Sequence, residues 1–473
     1  MILLVVFGPI LAGLLCLLSD RGLRSIPIAA YLITAWVSVD VLVRDAVLKL
    51  HLVDSYGISL VLDKPAAWFL LLNAVVSLAV AWHERPLGRH HYFFILLAIL
   101  HGCLNACFLS NDLFNLYVVI ELTTIIAFLL IGQGMQPRQL WNAMRYLFLS
   151  NVGMLFFLLG TLLVYEATGD FSLEGAVKAP PTARALIVTG LLVKGGVFLP
   201  GLWLPQAHAE AQAAVSALLS GVVVKIGLLP LIRLESYSPD LAEIIRMAGF
   251  GGVFTGLGLA FFQRDIKRLL ACSTISQVGF ILISPAIGAI YAFAHGAAKA
   301  CLFLCAGRVK DRDLLQLKKK RVPWPIAAPM LLAALSIAGC PFVFGFYAKY
   351  KVSAAFSGWT YGVVTLASIG TAALLTPVIL MPWKSGSWKT APTWQAPTLL
   401  AVVLLLGGLS AGPYSLLPGV KAIGVLAAGM VLHKLFLKRL MTVSLPGGWE
   451  KLEHVVGMTC VALILLIMAV YLP

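Results

Sequence analysis

The chain has 473 residues, 60% of them hydrophobic and only 12% charged, with a formal net charge of +15. A soluble domain carries about 25% charge, so a chain this apolar lacks the polar surface to stay in water. Its composition points to one large helical bundle in lipid. The positive excess does not read as nucleic-acid binding, because the Lys and Arg residues fall in short loops between apolar runs, where membrane topology places them.

The first apolar stretch, Ile2 to Leu18, follows Met1 directly. It has no basic segment ahead of it and no small-residue cleavage site behind it, so it reads as a spanning helix rather than a signal peptide. A crossing helix needs about 20 apolar residues. Runs of that kind fall at 2–18, 26–44, 65–83, 92–109, 112–132, 141–164, 183–204 and 211–232, then at 241–262, 266–283, 285–307, 325–356, 358–381, 398–416, 418–436 and 453–472, sixteen in all. The eight cysteines lie inside these runs. Cys103 with Cys107, and Cys301 with Cys305, share helix faces as small core residues do, and no spacing with His forms a metal site.

With the N-terminus outside, the loops that fall inside hold 22 of the 35 Lys and Arg, namely Arg21, Arg24, Arg85, Arg89, Arg138, Arg145, Arg264, Lys267, Arg268, the seven from Arg308 to Arg321, Lys384, Lys389, Lys434, Lys438, Arg439 and Lys451. The outer loops hold Arg44, Lys49, Lys64, Lys178, Arg184, Arg233 and Arg246. This positive-inside bias supports both the orientation and an even number of crossings.

Two of the runs are interrupted. VFLPGLWLPQ carries Pro200 and Pro205 in the seventh, and AGCPFVFGFYAK carries Gly339, Pro341 and Gly345 in the twelfth. Proline removes a backbone donor and kinks a helix, and broken backbone at membrane depth persists only where protein or a water-filled cavity surrounds it. Five crossings apart, the two broken helices run in opposite directions, as an inverted repeat of two five-helix units requires. The expected organisation is N-terminal helices over 1–91, repeats over 92–232 and 241–381, and C-terminal helices over 382–473.

Ionisable residues then stand where lipid disfavours them, at about 3 kcal/mol per charge on insertion scales. Glu121 lies nine residues after Asp112 and Lys194 ten after Arg184, which puts both about 13–15 Å deep in a core about 30 Å thick. Lys225 sits in the middle of SGVVVKIGLLPLIRL. Lys299 lies one turn from His295 on the same face, and Lys349 follows the second break. A single lysine near a helix end would read as a snorkelling or paired side chain. Four buried lysines with a glutamate and a histidine read instead as a hydrated polar line for protons. A Glu121–Lys194 pair would switch the lysine between charged and neutral as it opens and closes, and His295 titrates near neutrality as a relay. His208 and Glu210, in PQAHAEAQ, fall at an inner helix boundary and are candidates for a gate. His101, alone on the fourth helix, reads as a satisfied core histidine.

At these residues the sequence resembles the antiporter-like membrane subunits shared by Mrp cation/proton antiporters, as the D-type subunit, and respiratory complex I, the NADH-quinone oxidoreductase. NDLFNLYVVIELTTIIAFLLIG is similar to the family's fifth helix, with Glu121 on its essential glutamate. LLVKGGVFLPGLWLPQAHAEAQAAVSALLSGVVVKIGLLPLIR resembles its central signature, with Lys194 and Lys225 on its lysines. QRDIKRLLACSTISQVGF matches another hallmark. HGAAKACLFLCAG places His295 and Lys299 on the eleventh helix, and GCPFVFGFYAK places Lys349 on the terminal charged position. The family commonly has an acid where Gln206 stands and a proline where Gln212 stands.

The resemblance implies an all-α polytopic membrane fold of about fourteen core transmembrane helices, with two inverted five-helix repeats containing the broken helices. It implies a subunit of a multi-subunit complex in the cytoplasmic membrane. Such a subunit exchanges protons for Na+ or another monovalent cation beside other membrane subunits, without cofactor or nucleic acid. A proton-pumping membrane subunit of complex I or a related membrane-bound hydrogenase is the alternative, and a scaffold whose charges only pair is a third. The sequence has no CxxC cluster, no GxGxxG after a strand and no P-loop, so the energy source lies in partners or ion gradients.

Overall fold

The computed structural model describes residues 1–18, 26–52, 58–88, 90–309, 311–317, 321–385, 393–411, 416–441, 443 and 451–471. Arg21, Arg24, Arg89, Lys310, Lys318, Lys319, Lys320 and Lys389, all counted for orientation above, lie outside them.

The described residues form a helical bundle. In chain order the α-helices of seven or more residues are α1 (Ile2–Leu15), α2 (Ile26–Arg44), α3 (Lys64–Glu84), α4 (His91–Leu109), α5 (Leu113–Gly132) and α6 (Pro137–Thr168). There follow α7 (Pro181–Gly195), α8 (Leu204–Glu210), α9 (Ala213–Gly221), α10 (Leu228–Tyr237), α11 (Pro239–Phe261), α12 (Ile266–Leu282) and α13 (Pro285–Ala306). The last are α14 (Trp324–Ala338), α15 (Phe344–Ala354), α16 (Gly358–Ile379), α17 (Gln395–Ser410), α18 (Leu416–Leu432) and α19 (Leu452–Tyr471). Twelve described helices or broken helix pairs are long and apolar enough to cross a membrane, and Ile2–Leu18, Trp324–Ala338 and Gln395–Ser410 are shorter apolar helices. By length alone, then, fewer elements qualify as spans than the sixteen apolar runs of the sequence.

Helix starts follow local chemistry. Asp63, Asp112 and Asp265 cap α3, α5 and α12, their carboxylates accepting from first-turn amides such as Ala66 N at 2.9 Å and Asn115 N at 2.6 Å. Between α2 and α3, β1 (Leu48–Leu52) pairs antiparallel with β2 (Ile58–Leu62), a hairpin that the helical reading did not anticipate. Arg233, 6% exposed, ties this region together by donating to the Ser110 carbonyl at 3.0 Å, the Val61 carbonyl at 3.4 Å and Asp63 Oδ1 at 3.1 Å.

The core sits around α13, which packs on α3, α9, α12, α14, α15 and α17. α13 and the α9–α10 segment are almost wholly buried, whereas α18 and α19 are mostly exposed on the flank. α6 and α7 meet through glycines. A Cβ on Gly153 would fall 2.6 Å from Val193 Cγ1, on Gly190 2.6 Å from Phe157 Cβ, and on Gly160 2.8 Å from the Ala183 carbonyl oxygen. Small residues let membrane helices approach to backbone contact.

Candidate functional site

The first break lies upstream of the prolines that the sequence pointed to. α7 ends where Gly196 turns left-handed (φ +64), its amide donating to carbonyls of the last turn. Phe198 follows at φ +56, and a 3-10 turn at Leu199–Trp203 leads into α8. Pro200 and Pro205 open the segments after the break, positions that proline tolerates because the first amides of a helix lack partners anyway. Trp203 Nε1 donates to the Val193 carbonyl at 2.9 Å, a second donor on an oxygen that the Gly196 amide also reaches.

Lys194 stands in the last turn of α7, where the carbonyl end of a helix favours a cation. It is 3% exposed. Its ammonium donates to Ser150 Oγ at 2.6 Å, to Tyr146 OH at 3.5 Å and to Thr124 Oγ1, and lies 5.4 Å from the Tyr146 ring centre. Glu121 acts on it electrostatically, yet the two are not within ion-pair distance. The Glu121 side chain is half-buried on α5, next to the exposed Val118, Leu122 and Ile125 along the helix, but its carboxylate turns inward and Oε1 is enclosed. With the Asn151 amide turned to donate, its nitrogen lies 3.1 Å from Glu121 Oε2, while Oε1 has no partner.

The 211–232 run is not one helix. At Val222 (φ −129, ψ −51) α9 gives way to a 3-10 turn, Val223–Gly227, before α10. Lys225 sits in that turn, wholly buried, and donates to the Ser220 carbonyl that the turn releases. Gly227 brings this joint against the end of α7, since a Cβ there would lie 2.6 Å from the Gly195 amide nitrogen.

On α13, Lys299 donates to the Leu270 carbonyl at 2.7 Å and to Ser273 Oγ. His295, 3% exposed, has no hydrogen-bond partner at either ring nitrogen. It faces a cavity of about 10 Å³, lined also by Gln277, Tyr291, Ser336 and Gly345. That is room for about one water. Tyr291 OH donates to Gln277 Oε1 at 2.8 Å beside it.

The second break mirrors the first, with Gly339 (φ +88) capping α14 and Phe342 (φ +70) preceding α15. Here Pro341 does lie within the break. Lys349, 7% exposed, has no hydrogen-bond acceptor, and its ammonium sits 5.2 Å from the Phe280 ring centre.

His208 is fully buried, stacked on Phe303 at 5.1 Å with both ring nitrogens unpartnered. Glu210 is half-buried. Lys225, Lys267 and Lys299 act electrostatically on His208, and Lys225, Lys299 and Lys349 act on His295. The residues thus fall into two groups, Glu121 with Lys194, and Lys225, His208, Lys299, His295 and Lys349, joined where Gly227 meets α7. His101, by contrast, is held by Ser77 Oγ at 2.9 Å and Thr34 Oγ1 at 3.1 Å in a buried polar cluster with Asn73 and Asn105.

Sequence reasoning missed Thr124, Ser150, Ser273, Gln277 and Tyr291, because hydroxyls and amides in apolar helices carry no signal until a partner helix is placed. It also counted Lys267 as a loop cation, whereas the side chain is 2% exposed. The oxygens on Lys194, Lys225 and Lys299 are carbonyls and hydroxyls, which accept from an ammonium or a neutral amine alike.

Long apolar helices, two broken ones and a buried row of amines and imidazoles define an integral membrane protein of the ion-translocating type. Residues 110–376 match the family described as NADH:quinone oxidoreductase/Mrp antiporter, transmembrane, and the chain belongs to it. It is 30% identical over 361 residues to the D-type subunit of the Na(+)/H(+) antiporter of Alkalihalophilus pseudofirmus, covering 68% of this chain and 72% of that one. It is 31% identical over 333 residues to the N-type subunit of the NADH-quinone oxidoreductase of Desulforudis audaxviator, covering 62% and 66% respectively. The fold is similar to a chain of the membrane-bound sulfane sulfur reductase, an archaeal respiratory membrane complex, with a TM-score of 0.76 at 20% identity over 93% of this chain and 99% of that one.

Proposed function

We propose that the chain is a proton- and cation-translocating subunit of a multi-subunit membrane complex, of the Mrp Na+/proton antiporter kind. The observation that carries this reading is the row of enclosed Lys194, Lys225, Lys299, Lys349, His208 and His295, held by neutral oxygens or by nothing, beside two broken helices. Ionisable groups inside a membrane protein mark ion pathways, and such sites gather at broken helices between inverted repeats. In this reading 92–232 and 241–381 are the two five-helix repeats, Glu121 and Lys194 load the path, and His208 with Glu210 gates it from the cytoplasm. The N-terminus lies outside the cytoplasmic membrane, and the partners are other membrane subunits.

The similarity to the NADH-quinone oxidoreductase chain supports a second reading, a proton-pumping membrane subunit of a redox complex. Mild-detergent purification separates the two. Small membrane subunits alone favour the antiporter, and flavin or iron–sulfur subunits favour the pump. Full transport by the lone chain in liposomes contradicts both.

A further inference from the structure

The end of the bundle bearing Arg264, Lys267, Arg268 and Arg312 closes over α8 through contacts that the buried row does not use. α8 has only seven residues and ends at Glu210, so its last carbonyls lack partners within the helix. Side chains from three other elements take the carbonyls at this end. Arg312 Nη1 donates to Ala209 at 3.0 Å, Gln139 Nε2 from α6 to Glu210 at 3.1 Å, and Lys267 Nζ from α12 to Ala211 at 2.7 Å. The charged groups that act on Lys267 are Arg312, Asp265 and Glu210. Asp265 is committed to the backbone amides of Lys267 and Arg268. The Glu210 carboxylate is half-buried and makes no ion pair within 4 Å. Two residues back along the same short helix is His208, enclosed, with bare ring nitrogens.

We infer that Lys267 is a latch. Bound to the Ala211 carbonyl, it holds the α8–α9 joint shut over His208, and the Glu210 carboxylate is the competing acceptor that draws Lys267 away and lets water in. Lys267 is therefore a positioning residue and not a carrier. The inference rests on reading the buried row as an ion path, but its test does not use transport.

The test is amide hydrogen exchange on the assembled complex, read in peptides covering residues 204–216 with α11 as the internal reference. Lys267→Gln loses one hydrogen bond from a charged donor and speeds exchange at the joint about tenfold, with α11 unchanged. Lys267→Arg keeps a cation on the carbonyl and restores exchange toward the parent rate. Glu210→Gln removes the competing charge and slows exchange below the parent. A cap with no switching role leaves exchange in Glu210→Gln unchanged, and that result overturns the latch, as does parent-like exchange in Lys267→Gln. Should Lys267→Gln fail to assemble, the half-exposed Glu210→Gln decides alone. Inactive transport with the expected exchange pattern sinks the transport reading and leaves the latch standing.

Discussion

Lys194→Arg separates a proton carrier from a structural cation. The Lys194 ammonium is held by Thr124, Ser150 and Tyr146 and by the Tyr146 ring face, and a guanidinium has donors enough for all three oxygens and stacks on aromatic faces. The charged state is thus retained. The neutral state is not, because a guanidinium holds its proton far more tightly than an ammonium, so forming it costs at least about 3 kcal/mol more. If Lys194 must release its proton in each cycle, turnover falls at least about 100-fold. The assay is cation-driven proton flux in liposomes containing the whole complex, with assembly followed by native electrophoresis. Normal coupling in a well-assembled Lys194→Arg complex refutes the carrier role.

Three further outcomes are expected. After replacement of the exposed Cys460, a cysteine in place of the exposed Lys384 reacts with impermeant reagents only from the cytoplasmic side, and labelling from outside reverses the orientation. Gly190→Ala, which drives a methyl against Phe157, costs about 1–3 kcal/mol by overpacking; unchanged melting in detergent shows that α6 and α7 are not in backbone contact. Arg233→Gln, which loses donors to Ser110, Val61 and Asp63, destabilises by about 1.5–3 kcal/mol, lowering the melting temperature without abolishing assembly.

The apolar runs were legible because a bilayer needs about 20 apolar residues per helix and loops must hold the charges. The depth expected of Glu121 and Lys194 followed from the fixed rise of a helix. The first break was legible as a place but not as a cause. Pro200 and Pro205 drew attention, whereas the chain actually turns at Gly196 and at Phe198, a bulky residue in left-handed backbone that no propensity suggests. The joint at Lys225 left almost no trace, since VVVKIG reads as an ordinary apolar run and only its contact with α7 reveals Gly227 as a close approach. Lys267 misled for the opposite reason. Its position near a helix start is that of a surface cation, and only the crossing of α12 over the α8–α9 joint buries it. Glu121 shows the limit of depth arithmetic, which gives a position along the helix but neither the enclosed Oε1 nor the Asn151 amide beside Oε2.

The glycine contact between α6 and α7 has a kinetic consequence. Lys194 rides on α7, and Ser150 and Tyr146, two of the oxygens that hold it, ride on α6. These helices touch through Gly153, Gly160 and Gly190 with no room for another methyl. Were the ammonium to change partner, the slab beneath it would stay still and only a four-carbon stem would swing. Side-chain motion of that kind is far faster than the microsecond-to-millisecond displacement of whole helices. If Lys194 carries protons as proposed, its exchange between Glu121 and the hydroxyl cradle is a rapid pre-equilibrium, and the slow step of a turnover belongs to a part of the bundle that must move its backbone, such as the short, clamped α8.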